Sequence, residues 1–182
     1  MKELSPAAGL RLINTGPAVV ATCGPPDAPN GIALAWNMVV SRNPALLAVS
    51  VAPERYSHDL MIDRGCFVVN VAGRDNLDFL MMCGTRSGRD TDKFAAAGIE
   101  ARKASSVDTV YAPGFPARIE CAVFGSRPCG DHSLIVGEVK AAFVEEDFFD
   151  ERWKLDAPER CTLHHLGGPH FGLLSQKTTW RP

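Results

Sequence analysis

The stretch Cys83-Gly-Thr-Arg-Ser-Gly-Arg-Asp-Thr-Asp-Lys-Phe94 holds more anion-binding groups than any other segment of this 182-residue chain. Its glycines allow close backbone approach, its hydroxyls can donate hydrogen bonds, and Arg86, Arg89 and Lys93 supply positive charge. Such a set suits a phosphate group. A solvated turn of mixed charge is the alternative, because the two aspartates partly neutralise the cations. Local composition alone favours the turn.

Helices are predicted on both sides of this loop. Residues 75–82 place Leu77, Leu80 and Met81 at the spacing of a helix with one buried face, and Asp75 is a suitable N-cap. After the loop, Thr91 or Asp92 could cap a short helix that ends at Gly98.

Most of the remaining chain is predicted to form strands, over residues 18–23, 31–40, 46–52, 66–71, 117–125 and 133–144. We expect the second and third of these to pair antiparallel, Gly130 and Asp131 to close a hairpin, and Gly137 to mark a bulge. Ser57 is expected to cap a short helix over residues 58–63. These elements allow a β-sandwich or a small closed barrel, and the pattern does not choose between them.

Composition and charge exclude several classes of function. The formal net charge is −2, with 46% hydrophobic and 22% charged residues, which gives no electrostatic basis for binding nucleic acid. No apolar run is long enough for a membrane span and no signal peptide is evident, so we expect a cytoplasmic protein. The six cysteines form no Cys-x-x-Cys pair and the histidines lack the spacing of a helical metal site, so no metal is expected.

The loop resembles the Ser-Gly-Arg-Asp-x-Asp-Lys-Phe signature of the flavin reductase-like, FMN-binding split-barrel family, which includes the flavoredoxins. Four further blocks match that family in kind and order, at residues 30–41, 48–58, 130–139 and 166–173. The resemblance implies a mainly β fold with inserted helices, a six-stranded antiparallel Greek-key split barrel. It also implies a single domain over residues 1–182 and a homodimer that holds FMN. The aromatic segment 148–153 would be a covering segment or a subunit contact.

The resemblance also implies which residues contact the cofactor. Two strand ends would run along the isoalloxazine ring, and they contain Ala35, Trp36, Asn37, Ser50, Val51 and Ala52. A helix N-terminus and the loop would hold the ribityl phosphate through Arg55, Ser57, His58, Ser87, Arg89 and Lys93. Three more residues of the loop stretch, Cys83, Gly84 and Phe94, would lie at the cofactor. His170 would lie near the open face of the flavin and is the one possible catalytic side chain.

The family chemistry resides on the flavin, so no catalytic triad or paired carboxylate is required. Bound FMN would accept a hydride from NADH or NADPH and pass electrons to free flavin, a ferric complex, a partner oxygenase or another redox protein. A flavin-binding electron carrier that never reacts with pyridine nucleotide is the main alternative. A fold that has lost flavin and survives as a structural or haem-binding dimer is the third.

Overall fold

The computed structural model describes Ser5 and residues 10–13, 16–156, 159 and 161–178. Within these residues the strands are β1 Val19–Cys23, β2 Asn30–Leu34, β3 Asn37–Arg42, β4 Ala45–Val51, β5 Cys66–Val71, β6 Arg102–Lys103, β7 Val110–Tyr111, β8 Ala117–Cys129, β9 His132–Val144, β10 Phe149–Asp150, β11 Arg152–Trp153, β12 Leu163–Gly167 and β13 His170–Leu173. The α-helices are α1 Tyr56–Arg64, α2 Leu77–Thr85 and α3 Lys93–Ala97, with short 3-10 helices at Leu10–Ile13 and Arg74–Asn76.

One antiparallel sheet of seven strands dominates the fold, in the order β2-β1-β5-β8-β9-β4-β3. The chain is thus mainly β with inserted helices, as predicted, but the expected six-stranded Greek-key split barrel is not confirmed, because the sheet has seven strands and is not closed. The predicted strand 31–40 is divided at Ala35 and Trp36, so that β2 pairs with β1 whereas β3 pairs with β4. One expected strand therefore becomes the two edge strands of the sheet, which do not pair with each other.

Two apolar clusters lie on the faces of this sheet. The first fills one face with side chains that alternate along the strands, including Val19, Val49, Phe67 and Ile135. The second packs α2 and α3 against the sheet through three phenylalanines, with the Phe79 ring 5.1 Å from Phe94 and 6.3 Å from Phe115. This second cluster fixes the loop between α2 and α3 to the sheet.

Helix ends agree with the sequence in some places and not in others. Gly65 and Gly98 end α1 and α3 in the left-handed conformation, and the Asp92 carboxylate caps α3 by accepting from Ala95 N–H at 3.0 Å. Ser57 is not a cap: it lies inside α1, whose N-cap is Arg55. Asp75 is not one either, because residues 74–76 form a 3-10 turn.

The β8–β9 hairpin is longer than predicted, and β8 continues beyond its pairing with β5, which ends at Ala122. Cys129 pairs with His132, and Gly130 turns the chain with a φ of 66°. Gly137 is not itself the bulge, since the register shift lies opposite it on β8, between Val123 and Gly125. A Cβ at Gly137 would lie 2.7 Å from the Phe67 ring, so close packing requires the glycine.

A buried carboxylate fastens the loop before β7 to the sheet. Glu120 is fully buried and accepts hydrogen bonds from the backbone N–H groups of Ser105 and Ser106, at 3.0 and 2.7 Å, and from Arg118 Nε at 3.3 Å. Burial by itself would raise the pKa of this carboxyl, but these donated hydrogen bonds outweigh it and lower the pKa. Glu120 is therefore held as a carboxylate.

The aromatic segment after β9 folds back onto its own sheet. β10 and β11 form a small hairpin in which the Phe149 and Trp153 rings meet edge to face at 5.6 Å, and Trp153 packs against the first apolar cluster. The segment therefore covers the core. None of the helices formed by the described residues has the length and hydrophobicity needed to traverse a lipid bilayer.

Candidate functional site

A cleft of about 800 Å³ opens where the two edge strands meet the helices. Its walls come from the β2–β3 corner, the end of β4, the N-terminus of α1, the end of α2 and the loop 86–89. The volume lies within the usual range for pockets that enclose small molecules and cofactors.

The corner between β2 and β3 forms the apolar end of the cleft. The backbone N–H of Ser50 donates to the Trp36 carbonyl at 3.0 Å, which holds the corner against β4. The indole of Trp36 is 45% exposed, and its ring centre lies 4.9 Å from that of His132 at the tip of the β8–β9 hairpin. The corner thus presents a flat aromatic surface at the mouth of the cleft.

The N-terminus of α1 forms the opposite, polar end. Arg55, its N-cap, gives no side-chain hydrogen bond to the first turn, so the leading N–H groups of the helix are left to other acceptors. The helix dipole makes this end partly positive. Ser57 lies in the first turn, is buried, and accepts a hydrogen bond from Asn30 Nδ2 at 2.7 Å.

The loop 86–89 faces this helix end across the cleft. Arg89 is held by two contacts: its Nη1 donates to the Glu54 carbonyl at 2.9 Å, and its guanidinium lies 5.4 Å from the Tyr56 ring centre. A Cβ at Gly88 would lie 2.2 Å from Asn30 Oδ1, so this close approach to the sheet requires glycine. The loop is fastened to both β2 and α1.

Lys93 lies beneath the loop, with only 3% of its surface exposed. Its ammonium donates to the carbonyl of Gly31 at 2.6 Å and to that of Cys83 at 3.5 Å, which joins α3, β2 and α2. Burial lowers the pKa of this ammonium. Burial also raises the pKa of the neighbouring Cys83 thiol to about 12, with Lys93 partly opposing the shift, so Cys83 is a packed thiol and not a nucleophile.

The polar end of the cleft carries excess positive charge. Arg55, Arg86, Arg89 and Lys93 line it, and none of them forms an ion pair within the described part of the chain, where Glu54 is the single carboxylate of the lining. Cations, a serine hydroxyl and a helix N-terminus that converge on one spot favour an anion such as a phosphate. Over the described residues, no group of three or more His, Cys, Asp or Glu side chains could hold a metal ion.

Twelve of the fifteen residues predicted to contact a cofactor line this one cleft. They are Ala35, Trp36, Ser50, Val51, Ala52, Arg55, Ser57, Cys83, Gly84, Ser87, Arg89 and Lys93. Their grouping is a geometric fact, and their contact with a cofactor stays a prediction.

The other predicted residues lie elsewhere. Asn37 donates through Nδ2 to the Pro17 carbonyl at 3.0 Å, and His58 places its ring nitrogens 2.9 Å from Asp59 Oδ1 and 3.0 Å from Ser133 Oγ. Phe94 is buried in the second apolar cluster, between the helices and the sheet. His170 is exposed on β13 and does not line the cleft, although the hairpin that it belongs to contributes His165, Gly167 and Gly168.

Sequence reasoning missed several residues of the lining. Tyr56 was overlooked, although it stands directly before Ser57 at the start of a helix. His132 directly follows the predicted turn at Gly130 and Asp131, and nothing local reveals that the hairpin reaches as far as Trp36. The lining from the β12–β13 hairpin could not be inferred from local sequence either.

The chain is also similar in sequence to known proteins. A family model described as "Flavin reductase like domain" matches residues 10–164. The uncharacterised protein YddH of Escherichia coli (strain K12) is 30% identical over 182 residues, covering 93% of this chain and 92% of that protein. Flavin reductase (NADH) of Kitasatospora aureofaciens is 30% identical over 129 residues, covering 70% and 64%.

A solved structure extends the likeness to the whole fold. The FMN-binding protein from Thermus thermophilus, crystallised with bound 1-cyclohex-2-enone, superposes with a TM-score of 0.85 at 25% sequence identity. The match covers 100% of this chain and 98% of that one.

Proposed function

This chain belongs to the flavin reductase-like family, and on that basis we propose that it is an FMN-dependent oxidoreductase that takes a hydride from NADH or NADPH and delivers electrons to free flavin or another acceptor. The acceptor could be a partner oxygenase or another redox protein. The observation that carries the proposal is the two-ended cleft, apolar and flat at the β2–β3 corner and cationic at the N-terminus of α1.

The residues present fit FMN at both ends of the molecule. An isoalloxazine ring needs a flat apolar wall, which Trp36, Ala35 and the end of β4 offer. A phosphate needs converging donors, which the first turn of α1, Ser57 and the cations offer. Ser87 is already used as an acceptor by Arg89 N–H at 3.2 Å, so its hydroxyl proton would be the group that it turns to a phosphate.

The protein has a supporting part in the proposed reaction. FMN would supply the hydride chemistry at its N5 atom, which leaves the side chains to bind, orient and shield the reactants. Trp36 and His132, whose ring centres lie 4.9 Å apart, would flank the path by which a nicotinamide ring enters. Hydride transfer requires that ring to come within about 3 to 3.5 Å of the flavin, so crowding of the mouth should slow the reaction.

Two measurements test the proposal. The purified protein, mixed with FMN and freed of excess, should show the two visible absorption bands of a flavoprotein. Excess NADH or NADPH without oxygen should then bleach the flavin within seconds to minutes, and free FMN or a ferric chelate should restore the colour. A protein that binds no FMN contradicts the proposed site.

The second candidate function is a flavoredoxin-like electron carrier. The sequence contains no Gly-x-Gly-x-x-Gly dinucleotide motif, so in a reductase the nicotinamide would have to stack on the exposed flavin, whereas a carrier needs no nucleotide contact. If dithionite bleaches the loaded protein whereas neither nucleotide does, the carrier replaces the reductase.

We also propose a homodimer. Apolar side chains are exposed on the edge strand β3, where Met38 and Val39 are 60% and 76% exposed, and at Phe124 on β8. Edge strands with an apolar surface are usually covered in the functional assembly. Light scattering should report twice the chain mass, and a monomer that binds FMN stoichiometrically would contradict this proposal.

A further inference from the structure

Asn30 occupies an unusual position behind the polar end of the cleft. It is 3% exposed and does not line the cleft itself. Its Nδ2 lies 2.7 Å from Ser57 Oγ and 3.7 Å from Cys23 Sγ, while its Oδ1 has no hydrogen-bond partner among the described residues. A buried polar atom without a partner is costly, so a specific placement of this side chain calls for an explanation.

The surrounding groups fix the direction of the amide. The Cys23 thiol points to the Ser57 carbonyl at 4.0 Å, so its sulfur lone pairs remain for an N–H donor. The amide nitrogen of Asn30 thus lies between two acceptors, Cys23 Sγ and Ser57 Oγ. Its oxygen faces Gly88, where an added Cβ would lie 2.2 Å from Asn30 Oδ1 and 2.7 Å from Tyr56 Cδ1, so a side chain at that position would clash with both.

This arrangement determines the direction of the Ser57 hydroxyl. Because the oxygen of Ser57 already accepts from Asn30, the hydroxyl proton must point elsewhere. In the described part of the chain that proton has no oxygen or nitrogen acceptor; the Cys23 sulfur, a weak acceptor that already faces Asn30 Nδ2 at 3.7 Å, also lies beside Ser57. Ser57 lines the cleft, where a ligand oxygen would be the stronger acceptor. Ser57 is thus 2% exposed and lies at the N-terminus of a nine-residue helix, and its hydroxyl is a donor without a strong acceptor among the described residues.

We infer that Asn30 is a positioning residue, which acts through Ser57 to aim a hydroxyl proton at an anionic oxygen bound in the cleft. The inference rests on the phosphate-binding end of the proposed function. Asn30 does not contact the ligand. It donates to Ser57 Oγ, which orients the Ser57 hydroxyl so that its proton points to an oxyanion in the cleft. The ligand oxygen expected there is that of a phosphate monoester, and riboflavin lacks it.

The test compares dissociation constants for FMN and riboflavin in a double-mutant cycle of N30A and S57A. The preference for FMN is the dissociation constant for riboflavin divided by that for FMN. Ser57→Ala should lower this ratio by ~10- to 100-fold, as expected for one hydrogen bond to a charged group. Asn30→Ala should lower it by about fivefold, the value of a neutral hydrogen bond. In the S57A background, N30A should change the preference by less than about twofold, since its effect passes through the missing hydroxyl.

Asn70 supplies the matched control. It too is a fully buried asparagine of the main sheet, and its Nδ2 donates to a hydroxyl, that of Thr22, at 3.0 Å, but it lies outside the cleft lining. N70A should reduce the unfolding temperature and leave the FMN preference unchanged. If N30A is too unstable to assay, N30L fills a similar space without a donor and carries the same test.

The outcomes separate this inference from the proposed function. An unchanged preference in N30A, or an equal loss in the wild-type and S57A backgrounds, overturns the role of Asn30 while the phosphate site stands. A wild-type protein that binds FMN and riboflavin equally overturns the phosphate site itself, and the inference with it.

Discussion

Replacement of Lys93 by methionine should distinguish the contribution of the FMN phosphate to binding from the contribution of the ring system. Two of the three ammonium donors already serve the carbonyls of Gly31 and Cys83, which leaves one for a ligand. One charge-assisted hydrogen bond contributes about 1.5 to 3 kcal/mol. We therefore expect the dissociation constant for FMN to rise by ~10- to 100-fold and that for riboflavin to change by less than about threefold.

The variant also has a structural cost, which the same comparison controls. Loss of the ammonium leaves the Gly31 carbonyl without this donor, which should lower the free energy of unfolding by about 1 to 3 kcal/mol. It also removes a buried charge, whose lowered pKa shows that burial disfavours it, and this change should offset part of the loss. Denaturant unfolding measures the balance, and flavin fluorescence quenching measures both affinities. K103M, on the short strand β6 outside the cleft, is the matched control. Equal weakening of both flavins would refute the reasoning, because Lys93 would then support only the fold.

Three further predictions follow from buried groups. The folded-state pKa of Glu120 is lowered, so the stability that its carboxylate contributes is fully present above the ordinary pKa of 4.5 and is lost as the pH falls through the folded-state pKa. Urea unfolding between pH 6 and pH 3 should therefore show a steeper loss of unfolding free energy in the wild type than in E120Q. Gly88→Ala should weaken FMN binding and destabilise by about 1 to 3 kcal/mol through its clash with Asn30, whereas Gly125→Ala, with open space around its Cβ, should do neither. In the native protein a thiol reagent should modify Cys129 quickly and the other cysteines slowly, because they are buried; fast modification of two or more would contradict the packing.

Local sequence signals were reliable wherever the structure is decided locally. The strand 66–71 has the predicted bounds because a β-branched run lies between a helix-ending glycine and polar residues. Gly98 ends α3 because its left-handed conformation excludes most side chains. The loop 86–89 and the N-terminus of α1 were placed together only through the family resemblance, since they are distant in sequence.

Errors arose where a distant partner decides the outcome. Nothing in the composition of residues 31–40 marks the corner at Ala35 and Trp36, which exists because β2 and β3 pair with different strands. Serine is a common N-cap residue, but Ser57 lies in the first turn of α1, where its hydroxyl accepts a hydrogen bond from Asn30 and not from the helix backbone. The reach of His132 depends on the length of a hairpin, and strand length is set by pairing along the entire ladder.

The corner that joins the two edge strands also sets an order of events during synthesis. β3 can pair with β4 soon after both emerge, but β4 is completed by β9, and Val51 meets Ser133 only when most of the chain has been made. Closure of such long loops is slow compared with formation of the local β8–β9 hairpin. The wall of the cleft is therefore among the last surfaces to be assembled. Until then the nascent chain leaves the β9-pairing edge of β4 without a partner, so this edge is where aggregation or chaperone contact should begin.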